Sequence, residues 1–302
     1  MKRFGLFILI LLLVSCKNAQ QDSEKLQVVT TTTILSDLVQ NIGGDKVEVQ
    51  GLMGPGVDPH LYKASEGDFL KLYYSDIVFY SGLHLEGKMV DVFEKMRYRG
   101  REAISLGSYL DEKQLISSEN FGGNYDPHVW FNIRFFKIFA DAVTEVLIEK
   151  DAYNSDYYRK NNTIYQQQLS ALEDEVRTII EALPEEKRIL VTAHDAFSYF
   201  GKEYGFQVIG LQGISTATEA GVRDVRRLRD FIIEKDIKSI FIESSVPRRT
   251  IEALQAAVRA KKHEVGIGAS LFSDALGNPG TEEGTYIGMF RYNVTNIVEA
   301  LK

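Results

Sequence analysis

The sequence predicts an α/β protein made of two parallel-sheet lobes that are joined by one long connector helix. Two observations predict this architecture. Short apolar runs alternate with helical patterns in both halves of the 302-residue chain, and one amphipathic pattern of helical period fills the segment between the halves. Strand and helix in alternation favour a parallel sheet flanked by helices. A chain of this length also has room for two domains of ordinary size.

The first lobe is predicted to span residues 27–153. Its short apolar runs predict four strands, and the segments between the strands have helical spacing. The predicted strands are residues 28–30, 47–49, 77–80 and 103–104, and the predicted helices are residues 35–42, 66–74 and 88–96.

The second lobe is predicted to span residues 185–302, and it repeats the alternation of the first. The predicted strands are residues 188–192, 206–211, 239–242 and 264–267, and helices are predicted to begin at Ala196, Ala220, Arg249 and Glu283.

The connector helix is predicted over residues 154–184. Apolar residues recur there at intervals of seven, four, three, four, three and four from Tyr158 to Leu183, and Pro184 stops the pattern. At 1.5 Å per residue such a helix is roughly 40 Å long. Its length is also compatible with a coiled-coil dimer. Its place between two similar lobes favours a rigid connector in a monomer.

The amino-terminal segment has the features of a lipoprotein leader. Lys2 and Arg3 precede an apolar run over residues 4–14, and Leu13-Val14-Ser15-Cys16 fits the bacterial lipobox. Residues 1–15 are then a signal peptide, Cys16 is lipidated, and residues 16–26 form a polar tether. An ordinary secretory leader is the alternative. We expect an exported protein, anchored by its lipid on the outer face of the cytoplasmic membrane, in the periplasm or at the cell surface.

The charge balance narrows the classes of partner. The formal net charge is −7 at pH 7, and it becomes −9 when Lys2 and Arg3 leave with the leader. Nucleic acid and anionic membrane surfaces attract clustered basic residues, so the acidic balance disfavours both. The basic stretch over residues 223–230 follows helical spacing and is interpreted as the solvated face of a helix.

Four residues have the character of metal ligands. His60 in VDPHLY and His128 in YDPHVW precede the connector, while His194 in VTAHDAF and Asp274 in SLFSDALG follow it. The ligands of an open parallel sheet lie beyond the carboxyl ends of its strands, so both lobes can supply one cleft. Three imidazoles and one carboxylate suit a single zinc, manganese or ferrous ion. Because protons compete for imidazoles, affinity is expected to fall below about pH 6.5.

Other residues near these four have two interpretations. Asp58 and Asp126 either orient the imidazoles of the neighbouring histidines or merely initiate turns. Glu243 either accepts a hydrogen bond from a ligand or satisfies nearby backbone. His84 and His263 lack the sequence context of the other histidines, and neither is predicted to bind the metal.

Two other functional classes compete with metal capture. An exported zinc hydrolase would need an open position for water and a general base, for which Asp195 or Glu243 is available. Asp274 as a fourth ligand would close that position. An adhesin or structural lipoprotein is compatible with surface exposure alone, but it leaves the repeated Asp-Pro-His bend without a role.

Six motifs in order resemble those of the cluster A-I substrate-binding lipoproteins of bacterial ABC importers, and in particular the spirochaetal member that binds zinc and manganese. The resemblance implies two four-stranded lobes, one metal ion held by His60, His128, His194 and Asp274, and a permease and its ATPase as partners. Many zinc-dedicated members carry a histidine-rich loop, whereas residues 86–125 of this chain contain no histidine. The motifs are VDPHLY, YDPHVW, VTAHDAFSYFGKEYGF, GLQGISTATEA, IFIESSVP and SLFSDALG.

Overall fold

The computed structural model describes residues 25–117 and 122–302. The predicted signal peptide, Cys16 and most of the predicted tether lie outside the described residues. Within the described ranges, no helix has the length and apolar character needed to cross a membrane.

The first lobe contains a four-stranded parallel sheet. The strand order is β2-β1-β3-β4, and each ladder is parallel. Two of its helices begin with side-chain caps, because Thr32 accepts from Leu35 N, and Ser65 and Asp68 form a reciprocal capping box. Its elements are β1 (Leu26–Thr30), α1 (Thr33–Gly43), β2 (Val47–Gly51), α2 (Glu66–Tyr74), β3 (Ile77–Tyr80), α3 (Val90–Tyr98), β4 (Ala103–Ser105) and α4 (Ile133–Lys150).

The second lobe also has four parallel strands, in two hydrogen-bonded pairs. Among the described residues the ladders join β5 to β6 and β7 to β8, while β5 and β7 lie side by side without a ladder between them. The resemblance implies a four-stranded unit, and here it is divided into two pairs. Its elements are β5 (Ile189–Thr192), α6 (Ser198–Tyr204), β6 (Gln207–Gly210), α7 (Val222–Glu234), β7 (Ser239–Glu243), α8 (Arg249–Arg259), β8 (Gly266–Leu271) and α9 (Tyr286–Leu301).

The connector is one uninterrupted helix, α5 (Ser155–Glu181). It packs against α1 and α4 of the first lobe and against α9 of the second. Its buried side chains include Tyr165, Leu169 and Leu172, which belong to the same hydrophobic core as residues of both lobes. Because one core runs through the connector into both lobes, the packing opposes a wide hinge motion.

Aromatic side chains join the lobes directly. Phe136 of α4 stacks on Tyr286 of α9, with ring centroids 3.7 Å apart. The Tyr286 hydroxyl donates to the carbonyl of Trp130 at 2.6 Å, and Trp130 Nε1 donates to the carbonyl of Ser273 at 3.0 Å. These buried contacts fix the two segments that carry His128 and Asp274 relative to each other.

Every predicted strand and helix is present, and α2 has the predicted bounds. One helix was missed, because α4 was not assigned to any element. Its signal is in the sequence: Asn132 caps the helix by accepting from the backbone of Arg134 and Phe135, and apolar residues follow at helical spacing.

Candidate metal centre

All four predicted ligand residues meet in one buried group between the lobes. His60 lies in the loop after β2, and His128 lies just before the turn that leads into α4. His194 and Asp274 follow β5 and β8, beyond the carboxyl ends of these strands. The four side chains are at most 3% exposed. Their ligand atoms all lie within 4.8 Å of one another.

The spacing of the ligand atoms fits a small transition-metal ion. Nε2 of His128 lies 3.3 Å from Nε2 of both His60 and His194. Asp274 directs Oδ1 towards His128 at 3.3 Å and Oδ2 towards His194 at 3.4 Å. A tetrahedral zinc ion with Zn–N distances of about 2.0–2.1 Å places neighbouring ligand atoms about 3.3 Å apart. Oδ1 of Asp274 accepts no hydrogen bond from the described residues, which leaves it available to a cation.

His128 is held by Asp126 through two hydrogen bonds. The backbone N and the ring Nδ1 of His128 donate to the same oxygen, Oδ1 of Asp126, at 2.9 and 2.8 Å. The bond to Nδ1 places the lone pair of the neutral imidazole on Nε2, which faces the other ligand atoms. Tyr199 of α6 donates to the backbone carbonyl of Asp126 at 3.0 Å and so ties this turn to the second lobe.

His194 is backed by Glu243, the last residue of β7. Oε1 of Glu243 accepts from the backbone N of His194 at 2.9 Å, and Oε2 lies 2.6 Å from Nδ1 of the ring. The second contact is an ion-pair contact that is not aligned as a hydrogen bond. Glu243 therefore contacts both the backbone and the ring of His194, and its carboxylate favours a ring that coordinates through Nε2.

Asp58 contacts the turn of His60 and also the opposite lobe. Oδ1 accepts from the backbone N of His60 at 2.9 Å. Oδ2 accepts from the Thr216 hydroxyl at 2.6 Å, and Thr216 lies in the loop after β6 of the second lobe. One oxygen of Asp58 thus stabilises the turn at His60, and the other forms a hydrogen bond between the lobes. We call the Asp58–Thr216 hydrogen bond the inter-lobe latch.

Thr216 and Ser245 also belong to this centre, although the sequence did not predict them. The Ser245 hydroxyl donates to Oδ2 of Asp274 at 3.0 Å and orients that carboxylate. Ser245 lies in the segment IFIESSVP and Thr216 in GLQGISTATEA, which are two of the six motifs. Serine and threonine residues in loops follow no helical or strand periodicity and carry no charge. Their presence in two of the six motifs is therefore the only feature of the sequence that indicates a place in the centre.

The metal-free histidines titrate differently because only some of them have carboxylate partners. Burial lowers the pKa of His60 to about 3, so its imidazole is neutral at pH 7. Burial also opposes a charge on His128, but the carboxylates of Asp126 and Asp274 outweigh burial and raise its pKa to about 9. At pH 7 His128 therefore carries a proton when no metal is bound.

His194 and Asp274 form a second ion pair in the metal-free centre. Burial opposes the charge on His194, yet the carboxylates of Glu243 and Asp274 hold its pKa well above the usual value. Burial likewise opposes the charge on Asp274, but the two charged imidazoles hold its pKa well below the usual range. The carboxylates of the metal-free centre thus favour protonated imidazoles at the place where a divalent ion would bind.

Three residues considered from the sequence lie outside the group. His84 is exposed, and His263 faces Asp236 at 3.6 Å, on the far side of the second lobe's strands from the ligand loops. Asp195 accepts from the Ser198 hydroxyl at 2.8 Å, and burial raises the pKa of its carboxyl.

The match of this chain to a known protein family identifies the class to which it belongs. Residues 28–300 match the family ZnuA, described as zinc-uptake complex component A, periplasmic. This chain belongs to the ZnuA family. The match covers nearly all of both lobes and the connector. The family consists of binding components of metal uptake systems and not of enzymes, so the hydrolase alternative has no support.

Individual relatives of this ZnuA-family chain have similar length and fold. The chain is 47% identical to manganese-binding lipoprotein MntA of Bacillus subtilis, over 92% of this chain and 90% of MntA. It is 46% identical to zinc-binding protein TroA of Treponema pallidum, over 94% of this chain and 91% of TroA. The solved structure of TroA superposes with a TM-score of 0.90 and covers 92% of this chain and 99% of the TroA chain.

A third relative has a name that specifies the transport system. The chain is 32% identical to the manganese ABC transporter substrate-binding lipoprotein PsaA of Streptococcus pneumoniae, over 98% of this chain and 97% of PsaA. The two-lobe fold, the long connector and the resemblance to ABC substrate-binding lipoproteins that the sequence predicts are therefore confirmed.

Proposed function

We propose that this chain captures one zinc or manganese ion between its lobes and delivers it to the permease of an ABC importer. The buried group of three imidazoles and one carboxylate carries this proposal, because its donor set and spacing suit a divalent transition metal. The names of MntA, TroA and PsaA support the same cargo and the same kind of transport system.

The proposed ligands are His60 and His128 from the first lobe and His194 and Asp274 from the second. Their split between the lobes makes the bound ion a bridge across the cleft. The proposed organisation places the first lobe at residues 27–153, the connector at 154–184 and the second lobe at 185–302. Proteins of this kind respond to a ligand when the ligand binds one arrangement of the lobes more tightly than another.

The choice of metal does not follow from identity, because relatives named for manganese and for zinc are almost equally similar to this chain. The donor set favours tighter binding of zinc than of manganese, and it also accommodates ferrous iron. The imported metal is then set by availability and by the permease as well as by affinity.

The proposed location follows from the leader. Signal peptidase would remove residues 1–15, and Cys16 would carry the lipid, with residues 16–26 as the tether. The relatives MntA and PsaA are described as lipoproteins, which supports an exported and anchored protein. We propose that the monomer works at the outer face of the cytoplasmic membrane with a permease and its ATPase.

Calorimetric titration of the metal-stripped protein with zinc and with manganese tests the ligand assignment. Alanine replacements of His60, His128, His194 and Asp274 are each expected to weaken binding at least tenfold, because each removes one ligand atom. His263→Ala is the matched control, since His263 lies outside the group. Unchanged affinity in any of the four variants contradicts the assignment of that residue.

A second experiment tests transport. Deletion of the gene is expected to slow growth when zinc or manganese is withheld, and the native chain should restore growth while His60→Ala should not. Equal restoration by both proteins contradicts a transport role for the centre.

A further inference from the structure

The outward face of α2 consists of four apolar or aromatic side chains. Phe69, Leu70, Tyr73 and Tyr74 are 50%, 59%, 60% and 73% exposed, respectively. Their spacing places them on one side of the helix, while Leu72 on the other side is buried in the core. A contiguous apolar surface of this kind marks an interaction site more often than isolated exposed residues do.

Basic side chains border this surface. Lys95, Arg99 and Arg101 line a groove of about 510 Å³ between α2 and α3, and no carboxylate among the described residues lines it. The Arg101 guanidinium lies 4.9 Å from the centre of the Tyr73 ring, which is a cation–π distance. We call these seven residues, four on α2 and three basic, the α2–α3 face.

The groove of the α2–α3 face is basic, whereas the mature chain is acidic overall. Lys95, Arg99 and Arg101 line it without a carboxylate among the described residues, and the acidic side chains of α2 and of the segment after Arg101 lie outside it. An anionic surface would therefore attract this face and repel most of the rest of the protein. The net charge of the chain disfavours an anionic membrane as a partner, but the local charge favours one.

The chain enters the first lobe beside the same face. Gln27 of β1 borders a cavity together with Leu70 and Tyr74, and its carbonyl accepts from Asp76 N at 2.8 Å. Nine Cα–Cα steps separate Cys16 from Lys25, so this segment can span at most about 30 Å. A lipid on Cys16 therefore keeps the α2–α3 face near the bilayer surface.

The metal centre lies at the other end of the strands. Helix α2 ends at Tyr74 and α3 ends at Tyr98, shortly before β3 and β4 begin, so both helix ends lie at the amino ends of the parallel strands. His194 and Asp274 lie past the carboxyl ends of their strands, and His60 lies in the loop after β2. Contact through the tyrosine-rich end of the α2–α3 face therefore leaves the ligand loops uncovered.

We propose that the α2–α3 face is a membrane-contact surface that binds anionic phospholipid headgroups. Tyrosine, arginine and lysine are the side chains that favour the interface between water and lipid. Contact would hold the tethered protein with its cleft away from the bilayer until the permease engages it. This inference rests on the proposed lipid anchor for its biological setting, but the binding itself does not require the anchor.

Vesicle flotation tests the proposal with the mature chain, which begins at residue 16 and carries Cys16→Ser, so that neither the apolar leader nor an acyl chain contributes. We expect binding at low salt to vesicles of equal parts phosphatidylglycerol and phosphatidylcholine, and much weaker binding to phosphatidylcholine alone. The double variant Arg99→Glu/Arg101→Glu should lower the bound fraction at least tenfold, since each basic side chain near an anionic surface contributes roughly fivefold. Tyr73→Ser/Tyr74→Ser should also weaken binding.

The control is Arg159→Glu/Lys160→Glu on the exposed side of the connector. It makes the same change in net charge and should leave binding unaltered. Equal loss in the control, or no preference of the native chain for anionic vesicles, overturns the proposal. If the native chain self-associates and the Arg99→Glu/Arg101→Glu variant does not, the α2–α3 face binds a second copy of the chain. That result also overturns the proposal. Metal titration of the same variants should be unchanged, which separates this proposal from the proposed metal capture.

Discussion

Oδ1 of Asp126 accepts two hydrogen bonds from His128, one from the backbone N and one from ring Nδ1, at 2.9 and 2.8 Å. The two roles considered for the aspartate of the Asp-Pro-His bend are therefore combined in Asp126, which forms the turn and orients the imidazole. Asp58 forms the equivalent turn at His60, but its second oxygen reaches Thr216 of the other lobe. The two similar motifs thus differ in the second contact of the carboxylate.

Asp126→Asn is expected to weaken zinc binding about 10–100-fold, because an amide keeps the turn but supports the imidazole less well than a carboxylate does. Calorimetric titration measures the change. Asp111→Asn is the control, since Asp111 forms a similar turn with the backbone N of Lys113 and has no role in the centre. Equal affinity of Asp126→Asn and the native protein would show that the carboxylate charge is not needed.

Metal binding at pH 7 is expected to release protons, one from His128, whose pKa is about 9 in the metal-free centre, and a second from His194, whose pKa the carboxylates of Glu243 and Asp274 raise well above its usual value. Protons therefore compete with the metal below about pH 9 for His128, and not only below pH 6.5 as the sequence alone predicts. The apparent affinity should fall by up to about a hundredfold per pH unit while both sites are protonated.

Titrations in buffers with different ionisation enthalpies give the number of protons released. Release of no proton, or an affinity that is constant from pH 8 to pH 5, contradicts this account. His60 should not contribute above pH 5, because its pKa of about 3 leaves it neutral there.

The same pKa shifts predict how the metal-free protein depends on pH. The pKa of His128 is raised above its unfolded value of about 6.5, so its contribution to the free energy of unfolding is complete below pH 6.5 and is lost as pH rises through about 9. The metal-free protein should therefore melt at a lower temperature at pH 9.5 than at pH 6.5. The shift should be smaller in His128→Gln, and an equal shift in both proteins rules out His128 as its source.

Thr216→Val is expected to increase the rate of metal dissociation about tenfold or more, because it removes the inter-lobe latch to the turn that carries His60. Stopped-flow mixing with a chelator measures the rate, and Trp130, whose ring lies 5.3 Å from that of His128, provides a fluorescence signal. Thr216→Ser keeps the hydroxyl and should behave as the native protein does. A native dissociation rate in Thr216→Val means that the latch does not control release.

Leu172→Ala in the connector is expected to lower the free energy of unfolding of the metal-free protein by about 2–5 kcal/mol, because Leu172 is buried in the core shared by both lobes. Chemical denaturation should still show a single transition, since the connector packs on both lobes. Gln168→Ala, on the exposed side of the same helix, is the control. Two separate transitions would show that the lobes unfold independently.

The fold was largely predictable because its elements have strong periodic patterns. The spacing of Tyr165, Leu169 and Leu172 identifies the connector, and the alternation of strands and helices identifies the parallel sheets. The pairing of strands was less predictable, since the division of the second lobe into two pairs depends on packing between distant segments. Helix α4 was missed although Asn132 and the apolar spacing after it indicate a helix.

The candidate centre was predictable as far as its histidines and Asp274, because these residue types have distinctive chemistry. The contacts that support these four ligand residues were less predictable. The two roles proposed for Asp126 could not be separated in sequence, and Glu243 could be placed only at a strand end. Thr216 and Ser245 act through hydroxyl groups in loops, and only the three-dimensional structure brings them to Asp58 and Asp274.

The carboxylates behind His128 and His194 have a further consequence for recognition. A divalent ion that displaces one proton from His128 and one from His194 leaves the total charge of the centre unchanged, so this exchange alters the long-range field of the protein little. Long-range electrostatic attraction would then give a permease little means to distinguish the loaded protein. The permease would have to detect the positions of the loops around the cleft, among them the loops of His60 and Thr216, which the inter-lobe latch joins.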